Sequence, residues 1–138
     1  MEYLINLHKI NPIYAKINIH ASNECAFRLA CLNGYLHIVK YLINLYKIRQ
    51  SREPTYAKIN IHENDEEGFR WTCRDGYIHI IKYLVKLYKK STYAKINIHA
   101  NNEEGFRSAC RNGHKHIIKY LLSCGSYYSN NYKCIIIL

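Results

Sequence analysis

Eight histidines and six cysteines in 138 residues could supply a metal site or a nucleophile, and their spacing decides the matter. Most of the histidines fall into two recurring sets, His20, His62 and His99, and His37, His79 and His116. A zinc ion needs ligands that converge at about 2 Å. Equivalent side chains of neighbouring stacked units start about 10 Å apart. Repeated histidine in this register therefore predicts turn or packing residues, with no metal site and no cofactor. Cys31, Cys73 and Cys110 recur in the same way. They stand too far apart for a disulfide, which wants Cα atoms within about 7 Å, so they read as small buried apolar residues. Cys25, Cys124 and Cys134 show no Cys-x-x-Cys spacing, and a reducing compartment fits this usage. No Gly-rich phosphate loop, Gly-x-Ser-x-Gly or His-Glu-x-x-His is present. No catalytic residue is assigned, and the chain is not read as an enzyme.

These residues recur because the chain repeats itself. Tyr-Ala-Lys-Ile-Asn-Ile-His occupies 14–20, 56–62 and 93–99. Each copy is followed by a Phe-Arg pair (Phe27-Arg28, Phe69-Arg70, Phe106-Arg107), then a Cys, a Gly (Gly34, Gly76, Gly113) and an Ile-x-Lys-Tyr-Leu block. The copies lie 42 and 37 residues apart. A period of this size marks stacked supersecondary units, an architecture that offers surface rather than one converging catalytic site.

The elements of one unit follow from apolar spacing. Phe27, Ala30 and Cys31 fall at i, i+3 and i+4, one face of a short helix. Gly34 can take the left-handed conformation that stops it. A second helix follows, with Ile38, Val39, Leu42, Leu45 and Tyr46 on one stripe. Each helix pair is apolar on one side only, so it needs neighbours to bury it. Lys-Ile-Asn-Ile-His, with the polar stretch after it, alternates and then turns, which predicts an extended arm and turn. In repeated Lys-Tyr (Lys40-Tyr41, Lys82-Tyr83, Lys119-Tyr120) a solvated Lys is expected beside a half-buried Tyr.

The formal charge is +10. Lys and Arg crowd the second half of each unit, so nucleic acid or an anionic surface is an alternative partner. Abundant Ile, Asn, Lys and Tyr, whose codons are AT-rich, give the same charge without selection for binding. No apolar run reaches the roughly 20 residues that cross a membrane, and the N-terminus lacks the pattern of a secretion signal. An intracellular, monomeric protein is expected.

Short helix, Gly stop, second helix and extended turn resemble the ankyrin repeat. The match is carried by Ala109-Cys110-Arg111-Asn112-Gly113-His114-Lys115-His116-Ile117-Ile118-Lys119-Tyr120-Leu121-Leu122 and Ala94-Lys95-Ile96-Asn97. The Thr-Pro-Leu-His that opens the family's first helix is replaced by Glu104-Gly105-Phe106-Arg107 and its counterparts. The divergent unit and the Ile/Asn/Lys/Tyr bias are similar to ankyrin-repeat proteins of giant DNA viruses of amoebae, which implies a host cytoplasm. The resemblance implies an all-α solenoid in a single domain: an N-terminal half repeat at 1–13, repeats at 14–55, 56–92 and 93–122, and a C-terminal cap at 123–138. An insertion loop is expected at 47–55, around Pro54.

Residues 56–84 and 93–121 differ at 7 of 29 positions. Several of these lie on the first helix or at the tip of the turn, elements that in ankyrin-like stacks line the concave, partner-facing groove. The resemblance thus implies Leu29, Leu32, Asn33, Trp71, Arg74, Asp75, Ser108, Arg111 and Asn112 as partner-binding residues. It implies a non-enzymatic module that binds an unidentified protein; the alternatives are the anionic partner named above and a remnant fragment of a longer array. Trp71 is the only Trp, and Trp and Arg dominate interface hot spots.

Overall fold

A computed structural model describes residues 18–126. The N-terminal half repeat expected at 1–13 and most of the C-terminal cap lie outside them. The described residues form six α-helices and no strand. First helices are α1 (Ala21–Leu32), α3 (Glu63–Asp75) and α5 (Ala100–Arg111). Second helices are α2 (Leu36–Arg49), α4 (Ile78–Lys86) and α6 (Lys115–Ser123), with a 3-10 turn at Leu87–Lys89. Helix α1 packs on α3 and α3 on α5, while each second helix packs on its own first helix. This is the row that one-sided apolar stripes require.

Phe27, Phe69 and Phe106 are buried at the centre of this row, each contributing about 1.5–3 kcal/mol by leaving water. The first helices approach closely because of two glycines. A Cβ built on Gly68 would stand 2.9 Å from the Phe27 ring, and one on Gly105 would stand 3.2 Å from both Phe69 and Cys73 Sγ. In the second helices Val39, Leu42, Leu45, Ile80, Ile81, Leu84, Ile117, Ile118 and Leu121 close the core. The arms are extended without being strands. Ile59, Ile61, Ile96 and Ile98 point inward, and Asn60 and Asn97 point out.

The helix stops are made as the glycines predict, with left-handed φ at Gly34, Gly76 and Gly113. The next repeat packs against them: the Tyr77 ring lies under Gly34 and the His114 ring under Gly76. Two expectations change. The loop expected at 47–55 starts later, because α2 continues to Arg49. Gln50 Nε2 donates to Tyr46 Oη (2.9 Å), and Arg49 lies over the Tyr56 ring, so part of the insertion lengthens a helix. Cys31 and Cys73 are buried free thiols whose pKa burial pushes far up, but Cys110 is half-buried and disulfide-bonded. The spacing argument separates equivalent cysteines from one another and does not reach a cysteine outside the repeat register.

Candidate functional site

Two sets of recurring polar residues have to be separated: those that hold repeats together and those left for a partner. The first set centres on a turn at the start of each first helix. Ser22, Asn23 and Glu24 all have left-handed backbones, as do Asn64, Asp65, Glu66 and Asn101, Asn102, Glu103. Left-handed geometry costs L-residues about 1–2 kcal/mol each, least for Asn and Asp. Three in succession need compensation, and the Phe-Arg arginine supplies it. Arg28 donates from Nε to the Asn23 carbonyl (2.8 Å) and from Nη2 to the Ser22 carbonyl (3.0 Å). Arg70 does the same for Asp65 and Asn64, both at 2.9 Å. Each guanidinium also pairs with a carboxylate of the following repeat, Arg28 with Glu67 and Arg70 with Glu104.

The third left-handed residue is a buried glutamate that links repeats. His20 Nδ1 lies 2.9 Å from Glu24 Oε1, and the same oxygen accepts the backbone N–H of Asn60 (3.0 Å). Glu66 Oε1 likewise takes His62 Nδ1 (2.7 Å) and the Asn97 N–H (3.0 Å). His99 pairs with Glu103. The first histidine set is thus occupied in structural bonds. No cluster of three metal-binding side chains occurs among the described residues.

Burial pushes the Glu67 carboxyl up, but hydrogen bonds from Arg28 and Asn64 outweigh it and hold the pKa below the ordinary 4.5. Glu104 is also lowered: its bonds from Asn101 and Arg70 overcome burial.

On the outer face, lysines of one repeat lie over tyrosines of the next. Lys40 is 5.5 Å from the Tyr83 ring and Lys82 is 5.6 Å from the Tyr120 ring. Such contacts are worth about 0.5–1 kcal/mol when exposed.

What remains is the exposed side of the first helices. Leu29 is 47% exposed, a large apolar side chain without cover. At the equivalent position of α3, Trp71 is half-buried, with the Arg28 guanidinium 5.9 Å from its ring centroid. Arg28 therefore positions Trp71 as well as its own turn. Leu32 is half-buried and Asn33 is exposed, the latter donating from Nδ2 to the Leu29 carbonyl (2.8 Å). Arg74 and Asp75 form a forked pair at 2.7 and 2.9 Å; the hydrogen bond from Arg74 holds Asp75 below its ordinary carboxylate value. Asn112 Nδ2 and His114 Nε2 donate to the Arg74 carbonyl at 2.8 and 2.9 Å, tying the tips of two repeats together. Arg111 is exposed and donates to Ser108 Oγ (2.9 Å). Ser108 is only 3% exposed, so this residue of the expected set lies beneath Arg111.

The left-handed turn and its arginine staple are absent from the reading of the sequence. The signal for them is the constant Glu24/Glu66/Glu103 beside constant Arg28/Arg70/Arg107.

The family model for ankyrin repeats (3 copies) matches residues 27–133, more than half of the chain. The chain belongs to the ankyrin-repeat family. No curated protein and no solved structure matches it. Ankyrin repeats are in general protein–protein interaction modules and typically non-enzymatic.

Proposed function

We propose that this ankyrin-repeat chain binds a partner protein across the exposed side of α1, α3 and α5, with Trp71 as anchor. One observation carries the reading: a tryptophan held by Arg28 next to the helix that exposes Leu29. Large aromatic side chains of this kind supply much of the energy of protein interfaces. Leu32, Asn33, Arg74, Asp75, Arg111 and Asn112, at the ends of the same first helices, would complete the binding surface. Their mixed charge supports a partner segment with both apolar and polar groups. The Ile-, Asn-, Lys- and Tyr-rich composition supports an AT-rich source, such as the giant viruses whose repeats the unit resembles. Binding of nucleic acid or an anionic surface by the second helices has less support, because Lys40 and Lys82 are engaged with the rings of the next repeat.

The test is affinity capture from the producing cells with the full chain, then titration of a retained protein. Trp71→Ala should weaken its Kd by about tenfold or more, while Lys86→Ala, on the outer face, should not change it. Equal affinity of Trp71→Ala and wild type sinks the assignment. Binding that falls steeply with salt and survives Trp71→Ala favours the outer lysines.

A further inference from the structure

The exposed side of the first helices changes character from one repeat to the next. Leu29, Trp71 and Ser108 are the equivalent positions of α1, α3 and α5, which pack side by side. Leu29 is exposed and Trp71 is half-buried, so the first two places are apolar and aromatic. The third is small. Ser108 is buried, and Arg111, one turn on, reaches back to it with Nη2 donating to Oγ at 2.9 Å. A cation therefore stands where the earlier repeats put a hydrophobic side chain.

Arg111 differs from the arginines of the earlier repeats. Arg28 and Arg70 pair with Glu67 and Glu104. Arg74, at the position equivalent to Arg111, is neutralised by its neighbour Asp75 through two hydrogen bonds. The residue after Arg111 is Asn112, so that neutralising carboxylate is missing. Asn112 is itself engaged, its Nδ2 donating to the Arg74 carbonyl (2.8 Å). Among the described residues Arg111 meets a neutral hydroxyl and no carboxylate. It is exposed, which leaves the rest of its planar donor fork to solvent. Such a fork matches a carboxylate through two parallel bonds.

Distance turns this row into a pattern. Stacked helices stand about 10 Å apart, and an extended chain advances about 3.4 Å per residue. One repeat is thus covered by about three residues of an extended partner. We propose, resting on the groove assigned above, that the partner docks an extended acidic peptide along this row. Two apolar side chains lie on Leu29 and Trp71, and an Asp or Glu about three residues beyond the second meets Arg111. The order apolar, aromatic, cation fixes which end of the segment lies over which repeat. A basic residue at the acidic place is rejected, because it would face an unneutralised arginine.

Selection of randomised peptides, about ten residues long and displayed on phage, against the full chain tests this. The wild type should enrich two apolar residues and an Asp or Glu at that spacing, in either chain direction. Arg111→Glu should enrich Lys or Arg in place of the acid. An enriched peptide titrated on the wild type should weaken in Kd by about fivefold when its acid becomes Gln, and further when it becomes Lys. That arm needs no variant of the protein to fold. Peptides that depend on Trp71 but carry no acid, or that tolerate Gln and Lys, overturn the proposal and leave the groove reading standing. Acidic peptides that bind Arg111→Glu as well as wild type also overturn it, their charge being met by the outer lysines. Peptides that ignore Trp71→Ala overturn the anchor, and the row with it. No enrichment on the wild type overturns both.

Discussion

Arg70 shows how much one side chain does in this chain. Its guanidinium fork meets two carbonyls of its own left-handed turn and one carboxylate of the next repeat. Lys offers no planar fork, so it cannot keep all three partners. Arg70→Lys should therefore cost about 1–3 kcal/mol, the range for stranding partly buried polar groups. Urea unfolding measures this, with Arg52→Lys in the exposed loop as a control that stays within about 0.5 kcal/mol. Glu66→Ala should cost a similar amount, because the Asn97 N–H loses its acceptor. Neither role could be read from the sequence. Left-handed geometry at three successive non-Gly residues lies outside local propensity, and the bonds that hold it there span a repeat junction. Ser108 was hard to place for a related reason. Its position faces solvent in α1, where Leu29 stands, but is covered in α5 once Arg111 folds over it.

The first helices depend on a backbone approach that only a missing side chain permits. Gly68→Ala would place a methyl 2.9 Å from the Phe27 ring and 3.3 Å from Cys31 Sγ. These neighbours sit in a packed core, so the variant should lose about 1–3 kcal/mol, seen as a lower midpoint in denaturant with an unchanged slope. Ala26, at the same position of the first repeat, is a native comparison, since α1 has no described first helix before it. The helices themselves were legible, because apolar residues at i, i+3 and i+4 and a left-handed glycine are local facts. The end of α2 was not. Pro54 suggested where the loop lies, but contacts among Tyr46, Arg49, Gln50 and Tyr56 decide where it starts.

Across the whole molecule, every described junction between repeats carries a carboxylate held below its ordinary pKa, Glu67 at one and Glu104 at the other. In the unfolded chain these groups titrate near 4.5, and in the folded chain lower. Their contribution is therefore complete above about pH 4.5 and is lost as pH falls through the folded values. Unfolding midpoints should hold steady from neutral pH to about 5 and drop below it. Glu67→Gln with Glu104→Gln should flatten that acid limb. The solenoid was legible from the 42- and 37-residue recurrence, whereas the bonds that link its units were not, since each joins residues more than 30 positions apart. Those bonds also have a direction. At both described junctions the earlier repeat offers an acceptor carboxylate forward and the later one a donor N–H backward. A spliced second copy of residues 56–92 would present the correct edge to each neighbour, so the gene can lengthen its product by duplication without inventing a new joint.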